Sequence, residues 1–397
     1  MGFSNSEKRS LLFLSLLYVL RLSGNFLILP LFEPYSRSLL ASDNVIWIGL
    51  ALGIFGFGQS VMQLPLGWLS DRVGRKNVII GCLSVFTVAT YGCFEAHSIT
   101  QLTVARFFQG LCAYSSVLTA LMADYTRPEN LTKASAILGV LIGITLVLCL
   151  SISPVIAHYA GTRNIFLLIM ALALISMLVT TMFLPSEPPR DKLATQVNFR
   201  ASIVKFGSIK GTWLIATANL ATNAVLSACW LVFPSVLANL GYDLPRQGSV
   251  YGSVMIISFV IMSIIVALSE KKHNNLALII GFILMSIGQG CLFFTVHSKL
   301  LFMASMAIFF SGFNLLEASI PATVARIAPK EIRGTSMGIS STAQFVGIFM
   351  GSLLSGIMLH YVNNKGAIFI VNAILSLVFF WAVWLKLPTC NKQNHRG

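Results

Sequence analysis

The chain has 397 residues, of which 56% are hydrophobic and only 10% charged, and its mean hydropathy is +0.82. Soluble domains carry about a quarter of charged residues, so this composition excludes a water-soluble fold and makes lipid the solvent. The formal net charge of +14 raises the question of nucleic acid, but no basic stripe is interleaved with aromatics, and no nucleic-acid partner is expected.

Apolar runs of roughly twenty residues, the length a helix needs to cross a bilayer, predict twelve spans. They lie near 11–33, 46–69, 77–95, 100–123, 134–158, 164–184, 211–239, 249–268, 275–296, 300–325, 335–361 and 366–386. The first run follows Lys8 and Arg9, but it is long, ends in Pro30-Leu31-Phe32-Glu33-Pro34 and lacks a small-residue cleavage site. It reads as a retained helix rather than a signal peptide. Most of the 27 Lys and Arg residues fall in the tails and even-numbered loops; the exceptions are Arg37, Arg163, Arg246, Lys299 and Lys365 in the other loops and Arg21 and Arg106 inside spans. That asymmetry predicts both termini in the cytoplasm. Basic residues at this surface also meet anionic lipid headgroups.

The polar stretch from Pro185 to Lys210 separates six spans from six. We therefore expect an all-α membrane protein of twelve helices in two pseudo-symmetric six-helix bundles. Residues 1–184 form the first bundle, 185–210 a cytoplasmic linker, 211–388 the second bundle and 389–397 a short cytoplasmic tail. The halves echo each other at an offset near 200: Leu69-Ser70-Asp71-Arg72 with Leu268-Ser269-Glu270-Lys271, Phe107-Phe108-Gln109-Gly110 with Phe309-Phe310-Ser311-Gly312, and Pro128 with Pro329. Matches at several separated points mark a duplication, and two rocking bundles are a known way to move a solute across a membrane.

Between spans 2 and 3 stands Gly67, Leu69, Asp71, Arg72, Gly74, Arg75, Lys76. This resembles the loop 2-3 signature of the major facilitator superfamily at every characteristic position, and Arg106-Phe107-Phe108-Gln109-Gly110 resembles its helix 4 motif. Leu20-Arg21-Leu22 with Ile28-Leu29-Pro30-Leu31, Phe313-Asn314-Leu315-Leu316-Glu317-Ala318 and Ser341-Thr342-Ala343-Gln344-Phe345 are similar to helices 1, 10 and 11 of the YajR-like bacterial group. The resemblance covers essentially the whole chain and implies a transporter in a bacterial inner membrane. It departs at Ser151-Ile152-Ser153-Pro154, where antiporters carry a glycine-rich Gly-Pro motif. Only about ten residues follow span 12, so the group's soluble C-terminal domain is expected to be absent.

A charge at mid-membrane costs roughly 2.5–3.5 kcal/mol on insertion scales, so each one needs a partner or an aqueous cavity. The scarce polar residues come in pairs: Arg21 and Asn25 in span 1, Arg106 and Gln109 in span 4, Asn219 and Asn223 in span 7, Asn314 and Glu317 in span 10. Spacings of three or four place both members on one helix face. In the resembling fold these helices line the central cavity, so the eight residues are the candidate substrate contacts. The alternative is that they only hydrogen-bond neighbouring helices. Glu317 is the one carboxylate placed deep in a span and the candidate proton carrier, with Arg106 and Arg21 biasing it; the alternative is a permanently ionised Glu317 paired with either arginine. Two arginines against one carboxylate favour a solute with an anionic or electron-rich part. Glu33 is expected at the interface.

The signature turn is read differently. Arg75 is placed to bridge Asp71 to Asp124 at the end of span 4, and Asp71 to meet a helix N-terminus of the opposite half. With Gly67, Arg72, Gly74 and Lys76 these residues form a candidate cytoplasmic gate, which by resemblance latches one conformational state. The alternative is an ordinary solvated turn. The glycines of spans 5 and 11, Gly139 and Gly351 among them, are read as close helix contacts, and His158, His273, His297 and His360 as surface residues. Six of the seven cysteines fall in or at the ends of spans without metal-ligand spacing, so no metal, cofactor or disulfide framework is expected. No nucleotide-binding glycine loop or catalytic arrangement marks an enzyme. The expected function is secondary transport of a small organic solute by alternating access, through proton-coupled efflux by antiport. The alternatives are symport or uniport uptake, or a transporter-like sensor. The expected partners are that solute, protons and membrane lipid, and the chain is expected to be a monomer.

Overall fold

The computed structural model describes residues 4–41, 43–112, 114–127, 129–184, 199–209, 211–269, 275–329, 332–362 and 364–386. Pro128, Glu270, Lys271, His273, Lys210, the linker over 185–198 and the tail from 387 lie outside the described residues. The described residues contain no strand. They form α1 (Asn5–Phe26), α2 (Leu29–Ser38), α3 (Ile46–Val73), α4 (Arg75–Glu95), α5 (Ile99–Gly110), α6 (Ser115–Tyr125), α7 (Leu131–Ala160) and α8 (Ile165–Met182). The series continues with α9 (Phe199–Ser208), α10 (Thr212–Trp230), α11 (Phe233–Asn239), α12 (Leu244–Ser269), α13 (Leu276–Thr295), α14 (Lys299–Ile327), α15 (Arg333–Val362) and α16 (Lys365–Lys386).

Among the described residues eleven helical stretches are long and apolar enough to cross a membrane. The remaining span expected from the sequence, 100–123, is present but broken between Gly110 and Ser115 into α5 and α6, each too short to cross alone. Span 1 breaks after Phe26 and span 7 after Trp230, and both breaks have the same cause. Pro30 and Pro234 occupy the first turn of α2 and of α11; proline donates no backbone hydrogen bond and its ring excludes the carbonyl four residues back. At the first break the Leu31 amide turns to the Ile28 carbonyl at 3.1 Å. The Leu27 carbonyl is then capped by the Ser153 hydroxyl of α7. The serine that stands outside the expected Gly-Pro pattern thus satisfies a backbone group for which lipid offers no partner. Part of the expected linker is also helical, as α9.

By its internal contacts the chain forms two compact units, Met1–Val197 with Trp230–Gly252, and Asn198–Cys229 with Ser253–Gly397. In the first unit Leu14, Leu17, Leu83, Leu118 and Leu121 form the fully buried centre of a shared core. α3 and α5 cross closely because both contribute glycine: a Cβ on Gly58 would meet the Phe107 carbonyl, and one on Gly110 the Phe55 carbonyl. Where α12 crosses α7, Gly248 and Gly252 face Ser151 in the same way. In the second unit Gly347 and Gly351 of α15 lie against the carbonyls of Leu220 and Ala224 on α10, and the hydroxyls of Ser227 and Ser352 bond between these helices. Gly139 has open space around it, so its expected role in helix contact is not met.

Candidate functional site

In the first unit the break in span 4 leaves α5 carrying Arg106 and Gln109 on one buried face, at 3% and 1% exposure. The Arg106 guanidinium donates to Gln109 Oε1 at 2.6 Å, and Gln109 Nε2 donates to the Thr90 hydroxyl of α4 at 2.8 Å. The guanidinium carbon also stands 4.3 Å from the centre of the Phe55 ring and 5.3 Å from that of Phe32. Ring faces stabilise a desolvated cation without neutralising it. Among the described residues the Arg106 Nε–H has no hydrogen-bond partner. Among the described residues no carboxylate of this unit pairs with Arg106, so the charge is held in place by a neutral amide and two π-faces. Arg21 is half-buried, with its guanidinium 5.3 Å from the Tyr114 ring. It shares a narrow cleft with Asn25, Gly24, Gln59 and Tyr114.

The second unit holds Asn219, Asn223 and Glu317 in one relay. Asn219 Nδ2 donates to the Ser340 carbonyl and hydroxyl at 3.0 and 3.1 Å. Asn223 Nδ2 donates to Asn219 Oδ1 at 3.1 Å. Gln344 Nε2 donates to Asn223 Oδ1 at 3.4 Å and to Glu317 Oε1 at 2.8 Å. Within its unit, then, Glu317 is held by an amide and not by an arginine. Among the described residues its Oε2 has no hydrogen-bond partner, and neither does Nδ2 of the buried Asn314. Such unpaired polar atoms are expensive in a membrane interior.

The signature turn is held from several sides. Gly74 lies at φ 99° and ψ 140°, a conformation open to glycine, between α3 and α4. Arg75 begins α4, and a cation at a helix N-terminus is unfavourable unless offset. Here Asp71 lies at 3.6 Å and Asp124 at 3.1 Å. Asp124 near the end of α6 is misplaced in the opposite sense, so the pair cancels two unfavourable dipole interactions. Arg72 stacks on Trp68 with 3.9 Å from its guanidinium carbon to the ring centre. Lys76 Nζ donates to the Thr181 carbonyl of α8 at 2.9 Å and to that of Leu184 at 3.4 Å. Gly67 lies beside Ser116, whose hydroxyl bonds the Gln63 carbonyl.

Some residues were not singled out from the sequence. Gln344 stood in a family motif but was not assigned to the site, although a glutamine inside an apolar span is itself a signal. Thr90 is chemically inconspicuous, and only packing selects it. Glu33 is 4% exposed and paired with Arg37 at 2.8 Å, held within the unit by the packing of α2. Glu7 was also passed over. It forms a capping box with Ser4 at the start of α1 and receives Arg127 at 2.9 Å. It further accepts the Arg127 amide at 3.0 Å, so the first helix is tied to the turn that follows Asp124. The Ser-x-x-Glu pattern was visible in the sequence.

The family model of the Major Facilitator Superfamily matches residues 14–349 and 275–397. The chain is 30% identical to the Inner membrane transport protein YajR of Escherichia coli (strain K12), over 98% of this chain and 84% of that protein. It is 24% identical to the Multidrug resistance protein MdtH of Aeromonas salmonicida (strain A449), over 95% and 91%. Among solved structures, that of the nucleoside transporter NupG superposes with a TM-score of 0.80 at 13% identity, covering 95% of this chain and all of that one. The D-xylose-proton symporter gives 0.78 at 16%, covering 97% and 99%. At these identities the structures share the fold.

Proposed function

The chain belongs to the major facilitator superfamily, whose members are transporters and not enzymes, and from that premise we propose proton-coupled efflux of a small organic solute by alternating access. In this reading the bundles 1–184 and 211–388 alternate. A solute in transit meets Arg21, Asn25, Arg106 and Gln109 from one half and Asn219, Asn223, Asn314 and Glu317 from the other.

The observation that carries the reading is the contrast between the two charged centres. Arg106 is an unneutralised cation with a spare N–H, suited to an anionic or electron-rich group. Glu317 is a carboxyl group held by a neutral amide, with one oxygen unpaired. It can take up and release a proton without breaking an ion pair in its unit, and that exchange is what coupling requires. Efflux is further supported by similarity to a protein named for multidrug resistance. Placement in an inner membrane follows the E. coli relative's name, and cytoplasmic termini follow the distribution of Lys and Arg. We read the working unit as a monomer. Uptake by symport or uniport is favoured by one feature, the Ser151-Ile152-Ser153-Pro154 stretch in span 5.

Purified protein in proteoliposomes under an imposed pH gradient tests the reading with solutes drawn from a screen of compounds that expressing cells accumulate or lose. Solute movement against the proton flow establishes antiport, movement with it establishes uptake, and the absence of flux establishes a sensor. Glu317→Gln is expected to abolish pH-driven accumulation while solute exchange continues. Accumulation that survives the substitution removes Glu317 from the coupling step.

A further inference from the structure

A groove of about 800 Å³ runs along the first unit between the C-terminal half of α4 and α5, away from the signature turn. Its floor is made of small residues, Ala89, Gly92, Ala96 and Ala105, and its apolar rim of Val88, Val104 and Phe108. The rim residues are 73%, 52% and 48% exposed. The floor is closed because a Cβ on Gly92 would already touch that of Ala105, at 3.3 Å. Within a membrane an open apolar slot of this kind is filled by lipid acyl chains.

One end of the groove is polar. Glu95 lines it together with Thr100 and Gln101. Beside Glu95, Arg163 is fixed by a bond from its Nε to the Phe94 carbonyl and by the Phe94 ring 4.4 Å away. The two charges stand 3.3 Å apart with side chains 41% and 45% exposed. A fixed cation next to an exposed carboxylate, at the mouth of an apolar slot, complements a zwitterionic head with one of its acyl chains laid in the slot.

The geometry points to a binding site for a phospholipid with a primary ammonium headgroup. Its acyl chain lies over Ala89, Gly92 and Ala105, its phosphate meets Arg163, and its ammonium meets Glu95. The carboxylate selects an ammonium that still carries N–H donors, which disfavours a trimethylated one. Ala105 and Ala89 adjoin Arg106 and Thr90 in sequence, so the bound lipid braces the outer side of the two helices that hold the Arg106–Gln109–Thr90 chain.

Native mass spectrometry of the full chain in mild detergent, titrated with phosphatidylethanolamine, phosphatidylcholine and phosphatidylglycerol, tests the site. One phosphatidylethanolamine is expected per chain, preferred over phosphatidylcholine by about tenfold, the scale of one charge-assisted hydrogen bond. Glu95→Gln is expected to remove that preference without weakening phosphatidylglycerol. Arg163→Gln is expected to weaken all three. Ala105→Phe fills the floor, and Val104→Trp narrows the slot from the exposed rim without touching buried packing; both are expected to lower retention of every lipid. Equal retention of phosphatidylethanolamine and phosphatidylcholine by the unsubstituted chain overturns the assignment. So does full retention by the Val104→Trp variant, or a dimer that forms at this face and excludes lipid.

Discussion

Arg106 keeps a full charge at 3% exposure with an amide and two aromatic rings as its company. Such an arrangement is costly for folding alone, since apolar packing fills the same space without a desolvation cost. Under the transport reading proposed above, a bound solute offsets that cost. Arg106→Leu is expected to weaken binding of an anionic solute by about tenfold or more, the loss of one charge-assisted hydrogen bond. Arg106→Lys restores the charge but not the planar fork that serves Gln109 and the ring faces together, so recovery is expected to be partial. Equilibrium binding to purified protein reads both, and affinity unchanged in the leucine variant removes Arg106 from the solute's path. At this scale the polar pairing within the candidate site was legible in part. Charged and amide residues are so scarce in the apolar spans that spacing alone grouped Arg106 with Gln109 and Asn219 with Asn223, and the structure bonds both pairs. Gln344 and Thr90 escaped because their selection depends on which helix lies opposite, and that information is not local.

The helices were legible in number and sequence but not in continuity. Hydropathy integrates over a whole span, and a two-residue break beside Pro30 or Pro234 hardly changes the average. What decides the break is whether its freed backbone groups find partners, and at span 1 the partner is Ser153, over a hundred positions away. Ser153→Val removes the cap on the Leu27 carbonyl and adds bulk. Destabilisation of about 1–3 kcal/mol is expected from the unsatisfied carbonyl, seen as a lowered melting temperature in detergent, whereas Ser153→Thr keeps the hydroxyl and is expected to cost less. Equal melting of the valine variant and the parent removes the cap from the account. Gly139 illustrates the opposite error: a glycine in a span is cheap evidence of close packing, and only the neighbouring helix decides whether it is used.

Duplication was the whole-molecule property most visible in the chain, because offset matches at separate sites do not depend on any one contact. The turn from Gly67 to Lys76 belongs to this scale, since it joins α3 and α4 to Asp124 of α6 and, through Lys76, to the end of α8. Asp71 is 39% exposed, so its pair is screened and worth about 0.2–1 kcal/mol. A bias of that size shifts a two-state population a few-fold. Asp71→Asn is accordingly expected to change the labelling rate of cysteines introduced on the face of this turn by a few-fold, with solute affinity retained. Lost affinity with unaltered labelling argues for a binding role in place of a latch.

The stretch Trp230–Gly252 comes from the later half of the chain yet packs with the earlier spans, where Gly248 and Gly252 rest on Ser151. That interlock has a biosynthetic consequence. Residues 1–197 and 198–397, translated as separate polypeptides in the same cell, are expected to find each other and co-purify, because the seam is held by side-chain fit rather than by the peptide bond between them. Gly248→Trp on the second fragment is expected to abolish the pairing while leaving each polypeptide inserted.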